Sequence, residues 1–171
     1  MEGLLTSEIK KTLEKIISHC FYANRMLDRI CSVLSVKMVM PKTSNILHHN
    51  LAHRYPVLAD VISDYMDGRD CSTIYEETPI GNQEYETYLD CFNKILEINL
   101  DFEKIIKESI ELAEKTKDYT TKVYLEKYLL DIIPITQDIL LLIDKAEMYG
   151  TSSLSTMKFD HDISAFDVFG E

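Results

Sequence analysis

Turn-forming residues are scarce in this chain of 171 residues, which contains only 5 glycines and 4 prolines. Folds built from many short strands need frequent turns, so this scarcity favours long helices. Long apolar runs are absent as well. The most apolar segment, residues 132–143, is interrupted by polar side chains and is too short to span a bilayer. No apolar run precedes the first lysines, so we expect a cytoplasmic protein without a signal peptide.

Paired cysteines and an excess of positive charge are also missing. The four cysteines form no CxxC motif, and we expect them to be reduced thiols. The chain has 29 acidic and 18 basic residues and a formal net charge of −11, which disfavours nucleic acid and membrane surfaces as partners but permits metal cations. A glycine-rich phosphate loop and a nucleophile-histidine motif are absent, which disfavours nucleotide binding and hydrolysis.

Four long stretches carry apolar residues at three- and four-residue steps, the spacing of amphipathic helices. The first runs from about residue 5 to 38, with Ser7 as its expected N-cap. The second begins after Pro41. Pro56 lies inside it and predicts a bend near residues 52–56, because proline removes one backbone hydrogen bond.

The connection between the second and third stretches, from Gly68 to Asn82, has no helical period. A helix of about 26 residues is about 40 Å long, and 15 extended residues reach about 50 Å, so this connection can run the length of the bundle. Short turns join the other neighbours, and Gly150 ends the fourth stretch. The sequence therefore predicts an all-α four-helix bundle over residues 1–150, with a long crossover between helices two and three.

Residues 151–171 form a polar linker followed by several apolar side chains, which is too apolar for a solvated tail. We expect this C-terminal tail to dock on its own bundle or on a neighbouring subunit.

One stripe of the second helix carries His49, His53, Asp60, Asp64 and Asp67, at steps of 4, 7, 4 and 3 residues. Imidazole and carboxylate groups on one helical face suit iron, manganese or zinc. A solvated acidic face explains the same pattern, so both interpretations stay open.

Other polar residues lie beside or within apolar stripes. We expect His19 and His48 to be hydrogen-bonded, partly buried histidines. Asn99 and Glu103 interrupt the apolar stripe of the third helix, and Glu126 lies close to that of the fourth. A metal ion or a buried pair would stabilise such charges, and a small rotation of the helix would instead expose them.

Two segments resemble a known family. LHHNLAHRYPVLADVISDYMDG is similar to the second helix of the DNA-protecting mini-ferritins, and IELAEKTKDYTTKVYLEKYLL to their last helical hairpin; the resemblance covers about residues 5–150. It implies a ferritin-like topology, a symmetric homo-oligomer, and iron oxidation or storage at carboxylate and histidine sites. The family's histidine is followed 15 and 19 residues later by Asp and Glu. His48 recovers only Asp67 of these acids and His49 only Asp64. The Glu-x-x-His pair of larger ferritin-like di-iron proteins and the basic DNA-binding tail are absent.

These observations lead to two hypotheses. The first is a ferritin-like oligomer that binds iron or another divalent transition metal, and is a ferroxidase if oxygen oxidises the bound iron. Its candidate ligands are His49, His53, Asp60 and Asp64 on helix two, and Glu103 and Glu126 in the interior. The second is a metal-free ferritin-like bundle that acts as an oligomeric scaffold or interaction module through its apolar C-terminal segment.

Overall fold

The first helix of the computed structural model, which describes residues 3–170, is α1, Ser7–Val36. Thr6 caps it instead of the predicted Ser7, since the Thr6 hydroxyl oxygen accepts a hydrogen bond from the backbone N–H of Ile9 at 3.3 Å. The apolar stripe of α1 is fully buried along its length. Both ends of the helix lie within two residues of the predicted bounds.

The second helix of the bundle is divided into three parts. α2 spans Pro41–Leu47, a π-helical turn spans His48–Ala52, and α3 spans Arg54–Gly68. In the π-helical turn the backbone N–H of His53 donates to the carbonyl oxygen of His48 at 3.2 Å, five residues back instead of the usual four. The irregularity thus begins just before the predicted bend at residues 52–56.

Pro56 provides a physical reason for this irregularity. A proline has no N–H to donate to the carbonyl four residues earlier, which here belongs to Ala52. Ala52 is fully buried, so water cannot replace the missing donor. Asn24 of α1 does so instead, because its side-chain amide donates to the Ala52 carbonyl oxygen at 2.9 Å.

The crossover occupies residues 69–87 and leads into α4, Tyr88–Lys115. It is longer than the predicted connection of residues 68–82, because α4 begins only at the capping box formed by Thr87 and Asp90. Side chains of α1 hold it in place. Glu14 accepts the backbone N–H of Ile74 at 2.9 Å, and further along Arg29 donates to the carbonyl of Gln83 at 2.9 Å. The crossover therefore follows about 22 Å of α1.

The last long helix, α5, spans Tyr119–Tyr149 and ends at Gly150, which has a φ of 85°. It packs against α4, while α1 packs against α3 and α4. The buried side chains of these helices form one core. No helix of the described chain is both long enough and apolar enough to cross a membrane.

A short helix, α6 (Ser153–Asp162), and a 3₁₀ turn (Ile163–Phe166) follow. Phe159 of α6 is fully buried against the rings of Tyr88 and Phe92, with ring centroids 4.8 and 5.6 Å away. The tail thus adds to the bundle core.

Polar contacts also hold the tail. The Asp160 carboxylate accepts the backbone N–H of Thr43 at 2.7 Å, near the start of α2, where no local side chain caps the helix. The N–H of Phe169 donates to the Asp138 carboxylate of α5 at 2.8 Å. The apolar residues Phe159 and Phe169 are consequently buried on their own bundle and are not an exposed contact surface.

Candidate metal-binding site

Three histidines meet at the π-helical turn. One potential ligand atom from each of His48, His49 and His53 lies within 4.8 Å of the others, and their ring centroids are 4.3 to 5.4 Å apart. Within residues 3–170 this is the only group of three or more His, Cys, Asp or Glu side chains that meets this criterion. We refer to these three residues as the histidine cluster.

The backbone geometry explains the cluster. In a regular α-helix, residues five apart differ by about 140° around the axis, so His48 and His53 would face different directions. The π-helical hydrogen bond between these two residues places them one above the other, with ring centroids 4.3 Å apart. Because His49 and His53 are already four apart, the turn brings all three imidazoles together.

His48 is fixed from the other side by α1. Its Nδ1 lies 3.1 Å from the Oδ1 of Asp28, and the two side chains are 39% and 44% exposed. A shallow pocket of about 440 Å³ adjoins this pair and is also lined by Ser32, Ser44 and Asn45. His48 is therefore the hydrogen-bonded, partly buried residue that the sequence predicts, and it is also accessible from solvent.

Three imidazoles are a suitable ligand set for a transition-metal ion. Zinc binds imidazole nitrogen at about 2.0–2.1 Å in tetrahedral sites, which puts two such nitrogens about 3.3 Å apart. The ligand atoms of the cluster lie within 4.8 Å, so modest side-chain rotations would complete the geometry. His49 and His53 are exposed and can rotate without disturbing the core.

Asp60 and Asp64 lie outside the histidine cluster. Both are exposed on α3, on the same helical face as His53. Asp60 lies seven positions after His53, a rise of about 10 Å along the helix, which is too far for a shared ion. These carboxylates can attract cations toward the cluster but do not complete its ligand set.

The structure also keeps Glu103 and Glu126 apart from the cluster. Glu103 of α4 accepts hydrogen bonds from the Thr136 hydroxyl and, at 3.3 Å, from the Lys107 ammonium group. Glu126 is half exposed and lies 3.8 Å from the Lys122 ammonium group. These carboxylates have protein partners, so no metal is needed to stabilise their charge.

Three comparisons bear on the fold. No protein-family model matches the chain, and no curated protein matches it. Solved structures do. An open-pore ferritin from the archaeon Archaeoglobus fulgidus matches with a TM-score of 0.87 and 18% identity, over 94% of this chain and 97% of that chain. An engineered closed form of the Archaeoglobus fulgidus ferritin matches with a TM-score of 0.86 and 18% identity, over 94% and 96% of the two chains.

The chain has a ferritin-like fold. The predicted all-α four-helix bundle with a long crossover is thereby confirmed. The more specific resemblance to mini-ferritins is not confirmed. A sequence identity of 18% to the archaeal ferritins supports a similarity of fold only.

The bundle interior does not fit the iron centre associated with ferritin-like di-iron proteins. Those proteins direct one Glu from each of two helices, and a Glu-x-x-His pair from each of the other two, into the interior. In this ferritin-like chain the polar groups that meet there are mostly neutral, and the Thr136 hydroxyl links Asn99 to one carboxylate, that of Glu103. Tyr55 donates to the Asn99 side chain at 2.8 Å, and Tyr128 lies 3.8 Å from the sulfur of Cys20 while donating to the backbone carbonyl of Leu58 at 3.0 Å.

Burial keeps the thiol and phenol groups of this interior protonated. It raises the pKa of the Cys20 thiol to about 12 and raises the pKa of the Tyr55 and Tyr128 hydroxyls as well. A thiolate or phenolate ligand is therefore disfavoured there. The interior is a packed and hydrogen-bonded core, and the exposed histidine cluster is the better candidate for a metal site.

Asp28 is the residue of this site that spacing along the chain could not reveal. It lies on α1, 20 positions before His48, and only tertiary packing brings the two together. The cluster had a weak sequence signal, because Pro56 predicts a disturbed helix just after three histidines within six residues.

Proposed function

We propose that this ferritin-like chain binds one divalent transition-metal ion at the histidine cluster. The observation that carries the proposal is the convergence of three imidazoles within 4.8 Å at the π-helical turn. Imidazole suits zinc, copper, nickel and iron, and the net charge of −11 favours accumulation of cations near the protein. Of the ligands expected from the sequence, His49 and His53 belong to this site, and His48 joins them.

Iron binding fits this proposal more closely than iron oxidation does. The interior brings one carboxylate, that of Glu103, to the neutral groups of Tyr55, Asn99, Tyr128 and Cys20, whereas a di-iron centre needs several carboxylates together with histidines. An iron ion at the histidine cluster would be held by imidazole nitrogens on the outer face of helix two. We therefore propose metal binding, without a ferroxidase centre inside the bundle.

The test is metal titration of the full chain by isothermal calorimetry, together with elemental analysis of protein purified without a chelator or an affinity tag. We expect one saturable divalent ion per chain. The double substitution His49→Ala and His53→Ala should abolish binding, because it leaves a single imidazole.

His161→Ala is the matched control. This histidine is 79% exposed, lies on α6 and is not a member of the cluster, so its loss should leave the stoichiometry unchanged. The proposal would be contradicted if the full chain bound none of zinc, nickel, copper or iron(II) saturably. It would also be contradicted if the control and the double variant lost the same amount of bound metal.

A second candidate function is self-association of a metal-free bundle. The outward face of α5 carries exposed apolar residues at steps of 7, 11 and 7 positions, all on one side of the helix: Val123, Leu130, Leu141 and Met148. This line is about 38 Å long and lies opposite the buried side of α5. The occupant we propose is a second copy of this chain, since one straight apolar line can pair with its own copy about a two-fold axis.

The mass of the chain in solution tests this second candidate. We expect an oligomer, and the double substitution Leu130→Lys and Met148→Lys should lower the mass toward that of one chain, 19.8 kDa. Val36→Lys, at an exposed apolar position on α1, is the control. An unchanged mass in the double variant, or a wild-type monomer, would overturn this candidate without affecting metal binding.

A further inference from the structure

We propose that Asp28 is the positioning residue of the histidine cluster, and that it makes the cluster a zinc-type site in which His48 binds through Nε2. This inference rests on the proposed metal-binding function and specifies its chemistry. It concerns the tautomer of one ring and the class of ion that the three rings select.

Asp28 of α1 contacts the π-helical turn through His48. A carboxylate can only accept a hydrogen bond, so the 3.1 Å contact between Asp28 Oδ1 and His48 Nδ1 requires a proton on Nδ1. In a neutral imidazole the other nitrogen, Nε2, then carries a lone pair that can bind a metal. This is the carboxylate–histidine–metal arrangement, in which the outer carboxylate fixes the ring and raises its basicity.

The ligand set of the cluster determines which class of ion it prefers. The cluster contains three nitrogen donors and no carboxylate within the 4.8 Å group. Manganese and magnesium prefer oxygen ligands, whereas zinc, nickel and copper bind imidazole well. Three nitrogens with a solvent-exposed fourth position match a tetrahedral zinc site completed by water, because His49 and His53 both lie on the surface.

The experiment compares zinc affinity and histidine ring ¹⁵N NMR spectra for the wild type, Asp28→Ala and Asp28→Asn in the full chain. Asp28→Ala should weaken zinc binding about 10- to 100-fold, as losses of outer hydrogen-bond partners typically do. Asp28→Asn should restore much of the affinity, since its amide oxygen can accept from Nδ1. Asp144→Ala, an exposed acidic residue on α5, controls for the lost negative charge.

The NMR spectrum supplies a measurement that a purely structural role would not change. We expect His48 of the zinc-bound wild type to have a protonated Nδ1 and a metal-bound Nε2. Competition with one equivalent each of zinc and manganese should load zinc alone.

Each failure has a separate meaning. If no ion binds, both the proposed function and this inference are wrong. Suppose that an ion binds and that binding is abolished by the His49→Ala and His53→Ala double substitution. If Asp28→Ala then has the same zinc affinity as Asp144→Ala, the positioning role is wrong while metal binding stands. Retention of manganese against zinc, or zinc on Nδ1 of His48, would likewise overturn the inference alone.

Discussion

Asn24→Ala is the substitution that most sharply tests how helix two is built. Asn24 donates its side-chain amide to the Ala52 carbonyl at 2.9 Å, and Pro56 leaves that carbonyl without its helical donor. Ala52 is fully buried, so after the substitution its carbonyl would have no partner. An unsatisfied buried acceptor costs about 1–3 kcal/mol, so we expect the free energy of unfolding to fall by about 2 kcal/mol.

The assay is urea unfolding followed by circular dichroism, supported by thermal unfolding. A loss of about 2 kcal/mol corresponds to a drop in Tm of roughly 4–8 °C for a chain of this size. Asn50→Ala, an exposed asparagine in the π-helical turn, is the control and should change the unfolding free energy by less than about 0.5 kcal/mol.

A double-mutant cycle with Pro56→Ala isolates the cause. Alanine at position 56 restores an N–H that can reach the Ala52 carbonyl, so Asn24→Ala should cost less in that background, by about 1 kcal/mol or more. The same cost in both backgrounds, or a cost below about 0.5 kcal/mol for Asn24→Ala alone, would refute the explanation of the irregular helix.

Three further predictions concern α1 and the tail. Burial lowers the pKa of His19, so the unfolded chain binds more protons at this residue and stability falls as the pH drops below the ordinary value of about 6.5. His19→Asn should therefore flatten the pH dependence of urea unfolding below about pH 6.5; an unchanged slope would contradict this. Phe159→Ala removes a fully buried ring and should cost about 3–5 kcal/mol in chemical unfolding, and a cost below about 1 kcal/mol would mean that the tail is not docked. Asp160→Ala removes the acceptor of the Thr43 N–H at the start of α2 and should cost about 1 kcal/mol by the same assay, and a neutral effect would contradict its capping role.

Local signals were sufficient to predict the architecture. The spacing of apolar residues at three and four positions predicted the long helices. The scarcity of glycine and proline argued against a fold of many short strands. Pro56 indicated a disturbance in helix two, because the loss of one N–H is a property of the residue itself, but the irregular turn spans His48–Ala52, just before the predicted bend at residues 52–56. The crossover was predicted too short, since the Thr87 and Asp90 capping box delays the start of α4.

The candidate site was only partly predictable. A stripe drawn with α-helical spacing joins His49 to His53, Asp60 and Asp64, but it excludes His48, because it assumes four-residue hydrogen bonds throughout. The π-helical turn breaks that assumption for one turn. Asp28 contacts His48 only through packing of α1 against helix two, and spacing along one helix carries no information about such a contact.

The most direct test of the proposed metal site is an anomalous diffraction experiment at the zinc absorption edge, on crystals of the full chain grown with one equivalent of zinc. We predict one strong anomalous peak at the π-helical turn, about 2.0–2.1 Å from a nitrogen of each of His48, His49 and His53. A peak beside Glu103 inside the bundle, or no peak at the turn, would contradict it.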